Sequence, residues 1–190
     1  MESRDHARLG PSAAHRWIHC PASVRLTESL TIEAQEGYST YAAEGTAAHT
    51  VAEMVASYHF GLITEAMLEA GLAAWRGQYA DAPWLGEQDI HEVEAEMIAH
   101  AQTYVDVIER ERARQHHTEM HLELKVFPGV PSVWGTGDCV LIGGDEVAII
   151  DYKYGTGVRV DAPGNEQLML YALGAYEADV IGLATLVRII

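Results

Sequence analysis

The stretch from Trp134 to Tyr152 leaves this chain little choice of fold. Two runs, Trp134 to Ile142 and Glu146 to Tyr152, are almost wholly apolar, and Gly143-Gly-Asp-Glu146 lies between them. Runs of that kind are strands buried on both faces. A two-residue loop at Gly144-Asp145 puts glycine at the first turn position, as a type II′ turn requires. Closing the hairpin there pairs Gly143 with Glu146, and counting outward in that register brings Asp138 opposite Asp151.

A buried hairpin needs further strands and covering helices, and the rest of the chain supplies both patterns. Residues 12–30 read as helix, interrupted by Pro21 into a kink or two short pieces. Residues 42–60 place Ala43, Ala47, Val51, Met54 and Val55 at helical spacing. A shorter helix over 62–77 and a loop at Ala80-Asp-Ala-Pro83 follow, then a long polar helix over 87–115. Its terminal run, Glu109-Arg-Glu-Arg-Ala-Arg114, reads as a solvated face of alternating sign. Met120 to Phe127 alternates apolar and polar residues as a half-buried strand does. Pro163 to Ala178 is an amphipathic helix opened by a Pro-Gly-Asn loop, and Gly182 to Ile190 a last strand. The fold class is α+β, one domain over 1–190, with 1–117 mainly helical and 118–190 the sheet core.

Composition sets bounds on function. With 12 Lys+Arg against 28 Asp+Glu, the 190 residues carry a formal charge of −16, which argues against sequence-independent affinity for phosphates. No apolar run approaches the roughly 18–20 residues of a membrane span, and the polar start lacks the apolar core of a signal peptide. The two cysteines, Cys20 and Cys139, can build neither a disulfide framework nor a four-cysteine metal site. The expected setting is a reduced cytoplasm, away from membranes.

The chemistry concentrates on the hairpin. Cross-strand neighbours hold their Cβ atoms about 4.5–5.5 Å apart. Lys153, one of only two lysines, lies two residues past Asp151 and projects from the same face. Paired carboxylates on a buried sheet repel each other and lose hydration, a cost that a divalent cation removes. Oxygen ligands suit Mg²⁺ or Mn²⁺, and a nearby lysine can orient a water and stabilise charge on a phosphate. The alternative is a surface hairpin whose aspartates sit in solvent at strand ends. His116, His117 and His121 straddle a helix end and a strand start and read as surface residues.

Gly135-Thr-Gly-Asp138 followed by Asp151-Tyr-Lys153 resembles the PD-(D/E)XK nuclease superfamily, in its RecB-like exonuclease branch. Three further segments are similar to that branch: Ala43-Glu-Gly-Thr-Ala-Ala-His49, Gln167-Leu-Met-Leu-Tyr171, and the lead segment Ser12 to Pro21. The resemblance covers roughly residues 10–178 and is strongest to a phage and prophage family known as domain of unknown function 2800. It implies a restriction-endonuclease-like core, a mixed sheet of about four strands in αβββαβ order, with a helical N-terminal layer. It implies that His49, Asp138, Asp151 and the carbonyl of Tyr152 ligate Mg²⁺ or Mn²⁺, and that Lys153 is the catalytic lysine. Gln167 and Tyr171 would line the site and touch DNA, and Glu44 would assist from the turn before His49. Glu123 would point at the site or at solvent. Arg16, Arg25 and Arg159 are the remaining cations expected near DNA. Relatives with an iron–sulfur cluster use the lead cysteine plus three near the C-terminus; only Cys20 has a counterpart here, so no cluster is expected.

The implied function is a divalent-metal-dependent DNA nuclease of exonuclease type, phage or prophage encoded and acting in replication, recombination or DNA processing in a bacterial host. A recombination or replication protein is the implied partner, and oligomers are compatible with the pattern. The rival is a non-catalytic nucleic-acid-binding or assembly module that keeps the nuclease fold. A metal hydrolase of small phosphate esters is a third reading.

Overall fold

The structure, a computed structural model, describes residues 7–29, 40–111, 115–125, 129, 133–143, 146–155, 160–178 and 186–189. The chain divides into two compact units: residues 1–35, 112–151 and 158–190 form the first, and 36–111 with 152–157 form the second. The class is α+β. Among the described residues no helix is long and apolar enough to cross a membrane.

The first unit is built on a four-stranded sheet in the order β1 (Gln115–Glu123), β2 (Trp134–Gly143), β3 (Glu146–Ile150), β4 (Leu186–Ile189). The first three strands are antiparallel, and β4 runs parallel to β3. The β2–β3 ladder runs from Gly143 opposite Glu146 to Cys139 opposite Ile150, the register that the glycine turn dictates. Gly144 and Asp145 themselves lie outside the described residues. A parallel pair needs a crossover, and α6 (Glu166–Glu177) supplies it. It starts three residues later than the expected Pro163, because the Asn165 side chain caps it by accepting from the Leu168 amide. The helix packs Leu168, Tyr171, Ala172 and Ala175 onto Leu122, Val140, Val147 and Ile149.

Ahead of the sheet, a 3₁₀ turn (Pro11–Ala13) leads into α1 (Ala14–His19) and α2 (Ala22–Ser29). The break falls at Pro21, as its missing N–H requires. Ala14 and Leu170 join Leu124 and Val133 in a second small core.

The second unit is three helices: α3 (Thr40–His59), α4 (Glu65–Tyr79) and α5 (Ile90–Arg110). Ala47, Ala48, Val51, Val55 and Ala56 of α3 are buried, as are Val93, Met97, Ala101, Val105 and Ile108 of α5. The α5 set falls at spacings of three and four and the α3 set in pairs one turn apart, one apolar face per helix. Trp75 of α4 is buried, and its indole donates to the Ala47 carbonyl at 3.0 Å. Arg76 closes on Glu94, with Nη1 at 2.7 and 2.6 Å from the two carboxylate oxygens.

The boundaries of α5, β1 and β3 also differ from the sequence reading. The long helix ends at Arg110 rather than 115, and the first strand spans 115–123 rather than 120–127. Both follow from β2: Val140 and Ile142 pair with His117 and Gln115, so ladder hydrogen bonds extend the strand into a polar stretch. His116 and His117 therefore lie on β1. The third strand stops at Ile150, leaving Asp151 as the first residue beyond it.

Candidate metal and nuclease site

In the first unit, the residues around Asp138 depart from regular strand geometry. Thr118 pairs with Cys139 and Met120 with Gly137, and the same count sets Glu119 opposite Asp138. Glu119 has φ 50°, the left-handed region that a non-glycine residue enters at a cost of about 1–2 kcal/mol. Carboxylate oxygens of Glu119 and Asp138 lie within 4.8 Å of one another. Glu119 is exposed and Asp138 half-buried. A strained residue holding its carboxylate toward a second one is the kind of arrangement that function, rather than stability, maintains. The sequence reading missed Glu119 and weighed Glu123 instead, which is exposed at the end of β1.

Asp151 is half-buried, and a side chain of α6 reaches it. Gln167 Nε2 donates to Asp151 Oδ1 at 3.2 Å and to the Tyr171 hydroxyl oxygen at 3.2 Å. Gln167 and Tyr171 are one helical turn apart, so one amide bridges the end of β3 and the middle of the helix. Tyr171 is buried over the glycines of the Gly-Thr-Gly-Asp motif. A Cβ at Gly135 would stand 2.9 Å from Tyr171 Cε1, and one at Gly137 3.2 Å from Leu122 Cδ1. Gly135 leaves room for the Tyr171 and Pro11 rings, and Gly137 for Leu122. Burial pushes the Tyr171 hydroxyl up to about 12; the Gln167 bond opposes this, and the charges of Asp151, Asp138 and Glu119 add to it. Three carboxylates thus act on one hydroxyl.

In the second unit, residues 152–154 continue the Asp-Tyr-Lys motif. Tyr152 is buried, its ring 5.3 Å from that of His49 at 78° and 5.3 Å from Tyr104. Tyr154 stands edge-on to His100 at 5.4 Å. Lys153, between them, is exposed. Burial, and then the neighbouring Tyr154, raise the Tyr152 hydroxyl to about 12. Burial raises Tyr154 as well, followed by the charges of Glu96 and Glu44. Both tyrosines anchor the segment that carries the lysine, and His49 is half-buried on the middle of α3.

The geometry gathers Asp151, Gln167 and Tyr171 with the Glu119–Asp138 pair in the first unit, and His49 with Tyr152 in the second. Glu44 sits half-buried on α3 and acts on Tyr154. Arg16 is exposed on α1, with no polar side-chain contact to the other candidates among the described residues. Arg159 lies outside the described residues. Cys20 is exposed, and Cys139 is buried on β2.

A family model described as protein of unknown function (DUF2800) matches residues 6–188. The chain belongs to this family. The match spans the lead helices, the His49 helix, the hairpin and α6, so the whole DUF2800 unit contains every candidate above. No solved structure matches the chain.

The donor chemistry of this DUF2800 chain fits a hard divalent cation. Asp138 and Glu119 offer carboxylate oxygens from facing strands, Asp151 a third just past the end of β3, and none is a thiolate. Unscreened, these charges repel each other on a partly desolvated surface.

Proposed function

We propose that this protein is a Mg²⁺- or Mn²⁺-dependent DNA nuclease with a restriction-endonuclease-like core, related to the PD-(D/E)XK superfamily and acting as an exonuclease. The observation that carries the reading is the bridge from Gln167 to Asp151 and Tyr171. A Gln-x-x-x-Tyr helix and an Asp-x-Lys strand end, more than ten residues apart in sequence, share one hydrogen-bonded group. The sheet supports it further: three antiparallel strands, a crossover helix and a fourth strand parallel to the third give the βββαβ order.

In this reading Asp138, Asp151 and Glu119 would hold the cation, and the family resemblance assigns His49 and the carbonyl of Tyr152 as further ligands. Such a cation would supply charge neutralisation at the scissile phosphate and a more acidic water. The chain's own residues do the rest. Gln167 spends its amide protons on Asp151 and Tyr171, fixing the orientation of that carboxylate. Lys153 presents an ammonium that stabilises charge developing on the phosphate and orients the attacking water. The anchored Tyr152 and Tyr154 limit the backbone freedom of that lysine.

The test is cleavage of linear, circular, single-stranded and double-stranded DNA, labelled at each end, with Mg²⁺ and with Mn²⁺. Cutting from ends of linear DNA is expected, and Asp151→Ala or Lys153→Ala should abolish it while leaving the unfolding curve in place. Equal cleavage by either variant would remove the site assignment.

A further inference from the structure

The lead segment differs in charge from the rest of the chain. Residues 7–29 carry Arg8, Arg16 and Arg25 against one acid, Glu28, in a protein of net charge −16. Arg8 is neutralised, since its Nε and Nη2 donate to the two oxygens of Glu28 at 2.7 and 2.8 Å. Among the described residues neither Arg16 nor Arg25 has an ion-pair partner.

Beside these arginines α1 and α2 leave a groove of about 500 Å³, lined by Trp17, Ile18, Pro21 and Val24 with Arg25 and Arg8. Trp17 and Leu9 rest one side on the small core of Ala14, Leu124, Val133 and Leu170, while Ile18 stays 42% exposed at the groove. The Trp17 indole N–H donates to the Gly10 carbonyl at 3.0 Å. The ring is therefore fixed with its one polar atom used. The groove thus combines an apolar, partly aromatic floor with a free guanidinium, which is complementary to a ligand that has both flat apolar faces and negative charge.

A second cavity along α1 leads back to the carboxylates. A polar cavity of about 270 Å³ is lined by Ser12, His15, Asn165, Glu166 and Gln167. His19 holds Glu166 there at 2.7 Å, which offsets that carboxylate when the imidazole is protonated, and Gln167 is the residue that donates to Asp151. His15 and Ile18, three residues apart on α1, are separated by about 4.5 Å along the axis. The two cavities thus share α1, with His15 lining one and Ile18 the other.

We propose that the α1–α2 groove is a binding site for single-stranded DNA, seating a base against Trp17 and Ile18 and a phosphate on Arg25. The proposal rests on the nuclease reading and names the form of its substrate. A duplex hides its base faces and would gain nothing from the apolar floor; a single strand gains from floor and cation together.

The experiment is fluorescence anisotropy of a labelled single-stranded 20-mer, and of a blunt duplex of that length, at low ionic strength in EDTA, where cleavage is absent. The comparison is between wild type, Ile18→Glu and Arg25→Glu, both at exposed positions. Each variant should bind the single strand on the order of tenfold to a hundredfold more weakly, the range expected for one lost base stack. Arg25→Glu should also lower the slope of log affinity against log salt by about 0.7, one phosphate's worth. Overlaid melting curves establish that the variants fold. Unchanged single-strand affinity, or an equal loss on the duplex, overturns the proposal. So does an acidic peptide that occupies the groove while the single strand does not. Cleavage by wild type with Mn²⁺ is scored separately, so a nuclease with no groove dependence is distinguished from a protein that cuts nothing.

Discussion

Gly135→Ala is the substitution on which the geometry of the proposed site can be judged most directly. The added Cβ would lie 2.9 Å from Tyr171 Cε1, 2.9 Å from Pro11 Cδ and 3.0 Å from Pro11 Cγ. Carbon atoms pack at about 3.5–4.0 Å, so these neighbours must withdraw by roughly 0.5–1 Å. None has room to do so: Tyr171 is 5% exposed and pinned by Gln167, and Pro11 is a buried ring. Overpacking of this kind costs about 1–3 kcal/mol. For a chain of this size each kcal/mol moves the melting temperature by about 2–4 °C, so a fall of about 2–12 °C is expected. Gly77→Ala is the control. It lies in α4 with nothing within 4 Å of its added Cβ, and should be stabilised by about 0.8–1 kcal/mol from helix propensity alone. Thermal unfolding followed by circular dichroism reads both. Because Tyr171 leans on Gln167 and Gln167 on Asp151, Gly135→Ala should also weaken Mn²⁺ binding in calorimetry. A Gly135→Ala protein that melts at or above wild type would refute the claim that Tyr171 lies against this glycine, and with it the account of why the motif carries one.

Four further outcomes follow from the same structure. Arg76→Met should destabilise by about 3–5 kcal/mol in urea unfolding, because it strands the Glu94 carboxylate, 6% exposed, without its cation. Glu119→Gly should relieve the left-handed strain and leave stability unchanged or raised by up to about 1 kcal/mol, yet abolish Mn²⁺ affinity; a stability loss without loss of affinity would make Glu119 structural. The hydroxyls of Tyr152 and Tyr171 stand at about 12 when folded against an ordinary value near 10, so the unfolded chain releases these protons first. Stability is then flat below pH 10 and falls as pH rises from 10 to 12, and Tyr171→Phe should lessen that fall in unfolding curves paired with tyrosinate absorbance. Thr64→Ala removes the oxygen that accepts from the Met67 amide at the start of α4 and should cost about 1 kcal/mol in the same unfolding assay.

Much of the site was legible because its signals are local. The Gly-Gly-Asp-Glu turn has one comfortable two-residue closure, and closure sets every later pair, so the Gly143–Glu146 register could be counted from the chain. The Gln167–Tyr171 spacing is one helical turn wherever it occurs. Helices α3 and α5 each bury a single face and so announce their period. What escaped lies on β1. It is an edge strand of the sheet, and its first half reads Gln-His-His-Thr-Glu, with no apolar alternation to find. An edge strand needs only one neighbour, and polar side chains on its open side guard against pairing with other chains. Its N-terminal half is imposed from outside: Val140 and Ile142 carry main-chain groups that must be bonded once buried, and His117 and Gln115 supply the partners. The demand was written in β2, not in the residues that answer it.

Glu119 escaped for a deeper reason. Left-handed backbone is signalled by glycine or asparagine, whose side chains tolerate it, and a glutamate there carries no such mark. A sequence rule built on what residues prefer is blind wherever a residue is held against its preference. That blindness is itself informative, because a chain with −16 charges has many carboxylates and only a few can matter to a cation. Most lie on helix faces where hydration and spacing make them inexpensive. The exception is a carboxylate placed at energetic cost opposite Asp138, beside a tyrosine whose hydroxyl responds to three such charges. The acidity that first argued against a phosphate-binding protein is, at this one point of the sheet, the arrangement that a divalent cation would convert into a phosphate site.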